Sequence, residues 1–140
     1  MTAANKRVLI GFVTLVVVFA IVSETYRAHD RRVCERIAQS WRSKALADKL
    51  ATGGTAEARQ WLEINGFHVF DWDPHGSHSY VNTIEVPKEG VLYVVEGELE
   101  LHRGNWLLKP AWIHLQFAFD RESRIHGINA FVWDVQDLMH

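Results

Sequence analysis

Asp71, Asp73, His75 and His78 are the best candidate for metal chemistry in this chain. A D-x-D-x-H-x-x-H run offers carboxylate oxygens and imidazole nitrogens within a short reach, and a flexible loop can wrap an ion. Metal sites usually stand on rigid elements with hydrogen-bonded second-layer partners. Here Pro74 and Gly76 interrupt the run, which is the pattern of a solvated turn. The turn is the preferred reading, and a metal- or ligand-binding Asp71–His78 loop is the alternative. Other reactive groups point nowhere in particular. Ser77 and Ser79 flank His78, but the stretch is not a nucleophile elbow. His102, His114 and His126 fall on or near strands, and no acid–base partner can be assigned to them. Cys34 sits on an apolar helical stripe and reads as a small hydrophobe. As the only cysteine it excludes an intrachain disulfide. Thr52-Gly53-Gly54-Thr55 offers free N–H groups ahead of a helix. It lacks the lysine of a phosphate-binding loop and reads as a connection. Neither an enzyme active site nor a cofactor is expected.

Two surfaces remain as candidates for binding. Glu96, Glu98 and Glu100 alternate along one strand, so they share a face. Three like charges in a row must be solvated. They mark an exposed face, a protected sheet edge, or an acidic docking stripe for a basic partner. Trp112, His114, Phe131 and Trp133 share the face opposite Ile113, Leu115 and Phe117 if the last two strands pair as a hairpin. A two-layer domain leaves one sheet face open, so these rings would form an aromatic patch for a protein partner or a membrane. The opposing possibility is that the chain end, Val135–His140, folds over them. Six tryptophans in 140 residues are out of the ordinary: some must be packing anchors, and an interface is the other place for such rings. The formal net charge of −2 does not favour nucleic acid as a partner.

The elements that carry these residues follow from periodicity. No Gly or Pro occurs between Phe12 and Thr52, so one long helix is possible. From Asp30 to Ala51, Val33, Cys34, Ile37, Ala38, Trp41 and Ala45 form an apolar stripe. Arg31, Arg32, Glu35, Arg36, Gln39, Arg42 and Ser43 lie opposite. Gly53-Gly54 ends this helix, and Thr55 caps a short second one that Asn65-Gly66 closes, with Phe67 as the apolar residue beyond. The period then becomes two. Strands are expected over Phe67–Trp72, Tyr80–Val86, Val91–His102, about Trp106–Phe119 with Pro110 at a break, and Arg124–Trp133. Ile128, Ala130 and Val132 should share a face with Ile113, Leu115 and Phe117. This order predicts an α+β two-layer sandwich: a helical hairpin packed on an antiparallel meander sheet.

Ahead of it, Lys6 and Arg7 precede the uncharged run Val8–Val22. Its fifteen residues rise about 22 Å as a helix. The hydrocarbon core is about 30 Å thick. Flanking residues to about position 25 extend the run, and Lys6, Arg7 and Arg27 can snorkel. A cleaved signal peptide has the right first two regions but no small-x-small cleavage pair. A lipoprotein signal fails because Cys34 lies far downstream. A buried helix apolar on all sides is hard for so small a domain to cover. The preferred division is a membrane anchor over residues 1–28, spanning about 8–25, and one α+β domain over 29–140. Arg27, Arg31, Arg32 and Arg36 outnumber Lys6 and Arg7, which leans toward a cytoplasmic domain. The signal-like start leans the other way.

Two stretches, KLATGGTAEARQWLEINGF and WIHLQFAFDRESRIHGINAFVWD, resemble the SmpA/OmlA type of small envelope domain found in outer-membrane assembly lipoproteins. About half the chain is covered. The lipidation cysteine is missing, and Gly66-Phe67 stands where Gly-Pro is expected. The resemblance implies a helical hairpin on a meander sheet, an envelope location, and a binding role without catalytic residues. The combined expectation is a single-pass inner-membrane protein with a periplasmic domain that acts as a non-enzymatic binding or assembly module. A cytoplasm-facing accessory subunit of a membrane complex is the competing reading.

Overall fold

The computed structural model describes residues 3–72 and 90–134. Helix α1 (Ala3–Ala47) is one unbroken helix of 45 residues. A single 3-10 turn (Leu50–Thr52) follows, then α2 (Thr55–Ile64). Strands β1 (His68–Trp72), β2 (Tyr93–His102), β3 (Ala111–Phe119) and β4 (Ile125–Asp134) form an antiparallel sheet in chain order. The fold is therefore α+β, with helices on one face of a meander. The expected strand over 80–86 lies outside the described residues.

The first half of α1 has exposed apolar side chains on every side from Val8 to Val22. This helix is long and apolar enough to cross a membrane. Its second half docks on the sheet through most of the expected stripe: Cys34, Ala38 and Ala45 are buried and Val33 and Trp41 half-buried, while Ile37 is exposed at the stripe's margin. Small residues there let the helix backbone approach β3 and β4 closely. The polar side of the helix is exposed, as its sequence suggests, yet two of its side chains reach the sheet. Gln39 Nε2 donates to the Ala130 carbonyl at 3.1 Å, and Arg42 Nε donates to that of Ile128 at 2.9 Å. Both carbonyls belong to edge strand β4, which the helix thereby covers.

The helix ends at Ala47, ahead of the glycine pair expected to stop it. Lys49 takes a left-handed conformation (φ 59°) and starts the 3-10 turn. Gly54, not Thr55, is the N-cap of α2. Its N–H donates to Glu57 Oε2 at 3.0 Å, which satisfies a donor that the helix leaves free. The far end forms as expected. Gly66 has φ +84°, its N–H donates to the Glu63 carbonyl, and the Phe67 N–H donates to that of Leu62. These two bonds are a Schellman motif.

Sheet register matches the alternation in the sequence. Ile113, Leu115 and Phe117 pair with Val132, Ala130 and Ile128. Together with Val95, Phe119, Leu62, Phe67 and Ala58 they make the main core. Trp41 packs edge-on against Phe67 (5.2 Å) and Trp61 (6.0 Å), and Lys44 Nζ lies 4.7 Å from the Trp41 ring centre. The β2–β3 connection is longer than the Arg103-Gly104-Asn105 turn that the strands expected over Val91–His102 and about Trp106–Phe119 would leave. Asn105 Oδ1 accepts the N–H groups of Leu107 and Leu108, both at 2.8 Å. Those donors are lost to any ladder, and Pro110 has none to give. Strand β3 therefore begins at Ala111, and residues 103–110 form a loop.

Gly97 lies in the middle of β2, between Val69 and Leu115. A Cβ there would stand 2.5 Å from Leu62 Cδ2 and 3.0 Å from Phe67 Cβ. The missing side chain is the notch into which α2 and Phe67 settle. We expect Gly97→Ala to destabilise the full chain by about 1–3 kcal/mol through overpacking. Chemical denaturation in detergent micelles, followed by tryptophan emission, measures this.

Candidate functional site

Asp71 lies on β1 and forms an ion pair with Arg59 of α2, so its carboxylate is already engaged. Asp73, His75 and His78 lie outside the described residues.

The acidic row is not a uniform solvated stripe. Glu96 is 5% exposed, Glu98 is half-buried, and Glu100 is exposed, with Oε1 3.4 Å from Arg103 Nε. Glu96 Oε1 lies 2.5 Å from His114 Nδ1, and Gln116 Nε2 donates to Glu96 Oε2 at 2.8 Å. Register explains this. Glu96, Gln116 and Asn129 stand side by side on one rung across β2, β3 and β4, and all three are buried. Alternation along β2 correctly assigns these groups to the face away from the helices. It does not reveal that the centre of that face is closed off from water.

The aromatic group is assembled as expected but is not an open patch. Trp112 pairs with Trp133, and His114 with Phe131. His114 is 2% exposed. Its ring stacks on Phe131 at 5.2 Å (interplanar angle 11°) and meets Trp133 at 5.1 Å (62°). Trp112, Phe131 and Trp133 are half-buried. His114 and Glu96 are thus interior groups, and only the half-buried rings, Glu98 and Glu100 remain for a partner. His114 Nε2 and Gln116 Oε1 are buried and have no hydrogen-bond partner among the described residues.

A second cluster joins residues that sequence reasoning kept apart. Asp30 and Cys34 are one turn apart on α1, and His102 ends β2 just past a register shift after Glu100. His102 Nε2 lies 3.0 Å from Asp30 Oδ2, and Cys34 Sγ lies 3.9 Å from the same oxygen. Cys34 is 2% exposed, and its thiol pKa is raised, first by burial and then by the Asp30 charge. Asp30 and Cys34 also line a cleft of about 330 Å³ bounded by Arg27, Leu108, Lys109 and Val132. The available signal was the i, i+4 spacing of Asp30 and Cys34 on the docking face of α1. His102 is 72 residues from Asp30 and gave none.

Nearer the apolar segment, the 103–110 loop meets α1. Trp106 is 80% exposed and stacks on Phe19, with ring centres 6.1 Å apart and planes 9° apart. Arg27 Nε donates to the Leu107 carbonyl at 3.0 Å. Ser23, between these contacts, is buried although its neighbours on the helix are exposed.

No protein-family model matches this chain, and no curated protein or solved structure matches it.

Replacing Glu96 leaves His114 Nδ1 and Gln116 Nε2 without their acceptor. Each buried polar group left unpaired costs about 1–3 kcal/mol. Glu96→Ala should therefore lower stability by at least about 2 kcal/mol in micelles. Glu98→Ala, at a half-buried position, should change it by no more than about 0.5 kcal/mol.

Proposed function

We propose that this chain is a non-enzymatic, single-pass membrane protein whose α+β domain is held against the bilayer surface as a binding or assembly module. One observation carries the reading. The folded domain reaches back along α1 and stacks Trp106 on Phe19, a residue inside the apolar run. Phe19 is three residues before Val22, or about 4.5 Å along the helix. With the run in a bilayer, Trp106 sits at the depth where tryptophan rings concentrate at membrane interfaces. Arg103 and Lys109 bracket the loop and can reach headgroups. Arg27 bonds the loop to the helix at the same level, so the domain has two contacts with the membrane region.

A helix without a break transmits this constraint rigidly. α1 leaves the apolar run and enters the domain core without a linker, so the domain cannot swing freely. The half-buried Trp112, Phe131 and Trp133, with Glu98 and Glu100 beside them, form the surface that we assign to a protein partner. The signal-like N-terminus and the resemblance to small envelope domains favour the periplasmic side of the inner membrane. The arginines after the apolar run favour the cytoplasmic side and an accessory-subunit role.

Labelling decides between the two sides. Arg121, in the exposed β3–β4 turn, becomes the single cysteine in a Cys34→Ala, Arg121→Cys chain. A membrane-impermeant maleimide should modify it in intact bacterial cells. Modification only after lysis would place the domain in the cytoplasm and remove the envelope reading. Depth is tested separately in vesicles of brominated lipid. Quenching of tryptophan emission should be clearly stronger in the wild-type chain than in Trp106→Phe, and equal quenching would take Trp106 off the membrane surface.

A further inference from the structure

We propose that Asp30, Cys34 and His102 bind a zinc-class divalent cation at the neck of α1, with the adjoining cleft supplying the position for a fourth ligand. The three donor atoms, one oxygen, one sulfur and one nitrogen, all lie within 4.8 Å of one another. Tetrahedral zinc with ordinary bond lengths sets its ligand atoms about 3.4–3.6 Å apart. The observed 3.0 Å between His102 and Asp30 and 3.9 Å between Cys34 and Asp30 bracket that spacing. The third separation, between Cys34 and His102, also stays within 4.8 Å.

The donor set selects the ion class. Thiolate and imidazole favour zinc-like metals over magnesium or calcium, which take oxygen ligands. Three protein ligands beside an open volume is the layout of a zinc site that keeps an exchangeable position. The cleft of about 330 Å³ provides that volume on the side of Asp30 and Cys34.

The platform is rigid where it matters. Asp30 and Cys34 project from the same side of a continuous helix, so their separation is set by the helical pitch. His102 is delivered by the end of β2, where the register shift re-aims the strand. Its other ring nitrogen, Nδ1, is buried and has no hydrogen-bond partner among the described residues. Among the described residues the ring's hydrogen bond is the one to Asp30, and a cation can take Nε2 without dismantling a network. A bound cation also reverses the electrostatics at Cys34. Burial and Asp30 favour the neutral thiol, whereas a coordinating metal stabilises the thiolate. The ion would tie the neck of α1 to the end of the sheet, immediately above the Trp106 loop. This inference does not depend on the membrane reading.

The test uses the full chain in detergent, stripped with chelator and titrated with cobalt(II) alone. One equivalent should produce the visible bands of tetrahedral cobalt and a near-ultraviolet thiolate-to-cobalt charge-transfer band, both lost on adding zinc. Cys34→Ser should abolish the charge-transfer band. His102→Ala and Asp30→Asn should each weaken cobalt binding at least about tenfold. Absence of the band, or binding unchanged in all three variants, would overturn the proposal, since other histidines would then hold the metal. A second readout needs no substitution. Zinc should slow alkylation of Cys34 in the wild-type chain by at least about tenfold, and an unchanged rate would also overturn it.

Discussion

The continuity of α1 is the constraint on which the rest of the structure depends. At 1.5 Å per residue its 45 residues extend about 67 Å. A helix of that length cannot be covered by a domain this small, so its apolar first half stays bare while its second half serves as one layer of the sandwich. Two demands then fall on the same element. It must present apolar residues all round in one half and a single stripe in the other. The sequence meets both by placing Cys34, Ala38 and Ala45 on the docking side and arginines elsewhere. Those small residues set a close helix–sheet distance, which in turn brings Gln39 and Arg42 within reach of the β4 carbonyls.

That contact has a functional consequence. An uncovered edge strand is a template for pairing with another chain. On β4 the Ile128 and Ala130 carbonyls are taken by α1 side chains. Those two bonds compete with an added strand over this stretch of β4. What β4 presents instead is side chains, Phe131 and Trp133, on the face away from α1. The binding surface proposed for this domain follows from how its edge is closed as much as from its aromatic content.

Local chemistry made the helices and registers legible in the sequence. The Asn65-Gly66-Phe67 ending of α2 reads directly as a Schellman motif because only a residue tolerant of positive φ fits its turn. The pairing of Ile113, Leu115 and Phe117 with Val132, Ala130 and Ile128 follows from period-two alternation and a short turn. The 103–110 loop was not legible, because Asn105 withdraws backbone donors that a simple strand pattern counts as available. Nor was the burial of Glu96, since alternation assigns a face but says nothing of what lies over it. The Asp30–Cys34–His102 cluster was hidden for a third reason. Two of its members are local, but the third arrives through sheet topology, and neither period nor spacing encodes that meeting.

The buried row of Glu96, Gln116 and Asn129 bears on why this sheet has one register. Burying a carboxylate is rarely stabilising relative to an apolar core. Its effect is clearer on the alternatives. A one-residue slip of β2 against its neighbours would carry Glu96 and Glu98 onto the helix-facing side, among Leu62, Phe67 and Phe117, with no partners. It would also move Gly97 away from Leu62 and put a side chain where the notch must be. Either error alone is costly, and a slip makes both. The glycine and the glutamate are adjacent in β2 and act on opposite faces of the sheet. Together they tie the strand to a single position, and every residue assigned here to the membrane contact, the neck cluster or the partner surface inherits its place from that register.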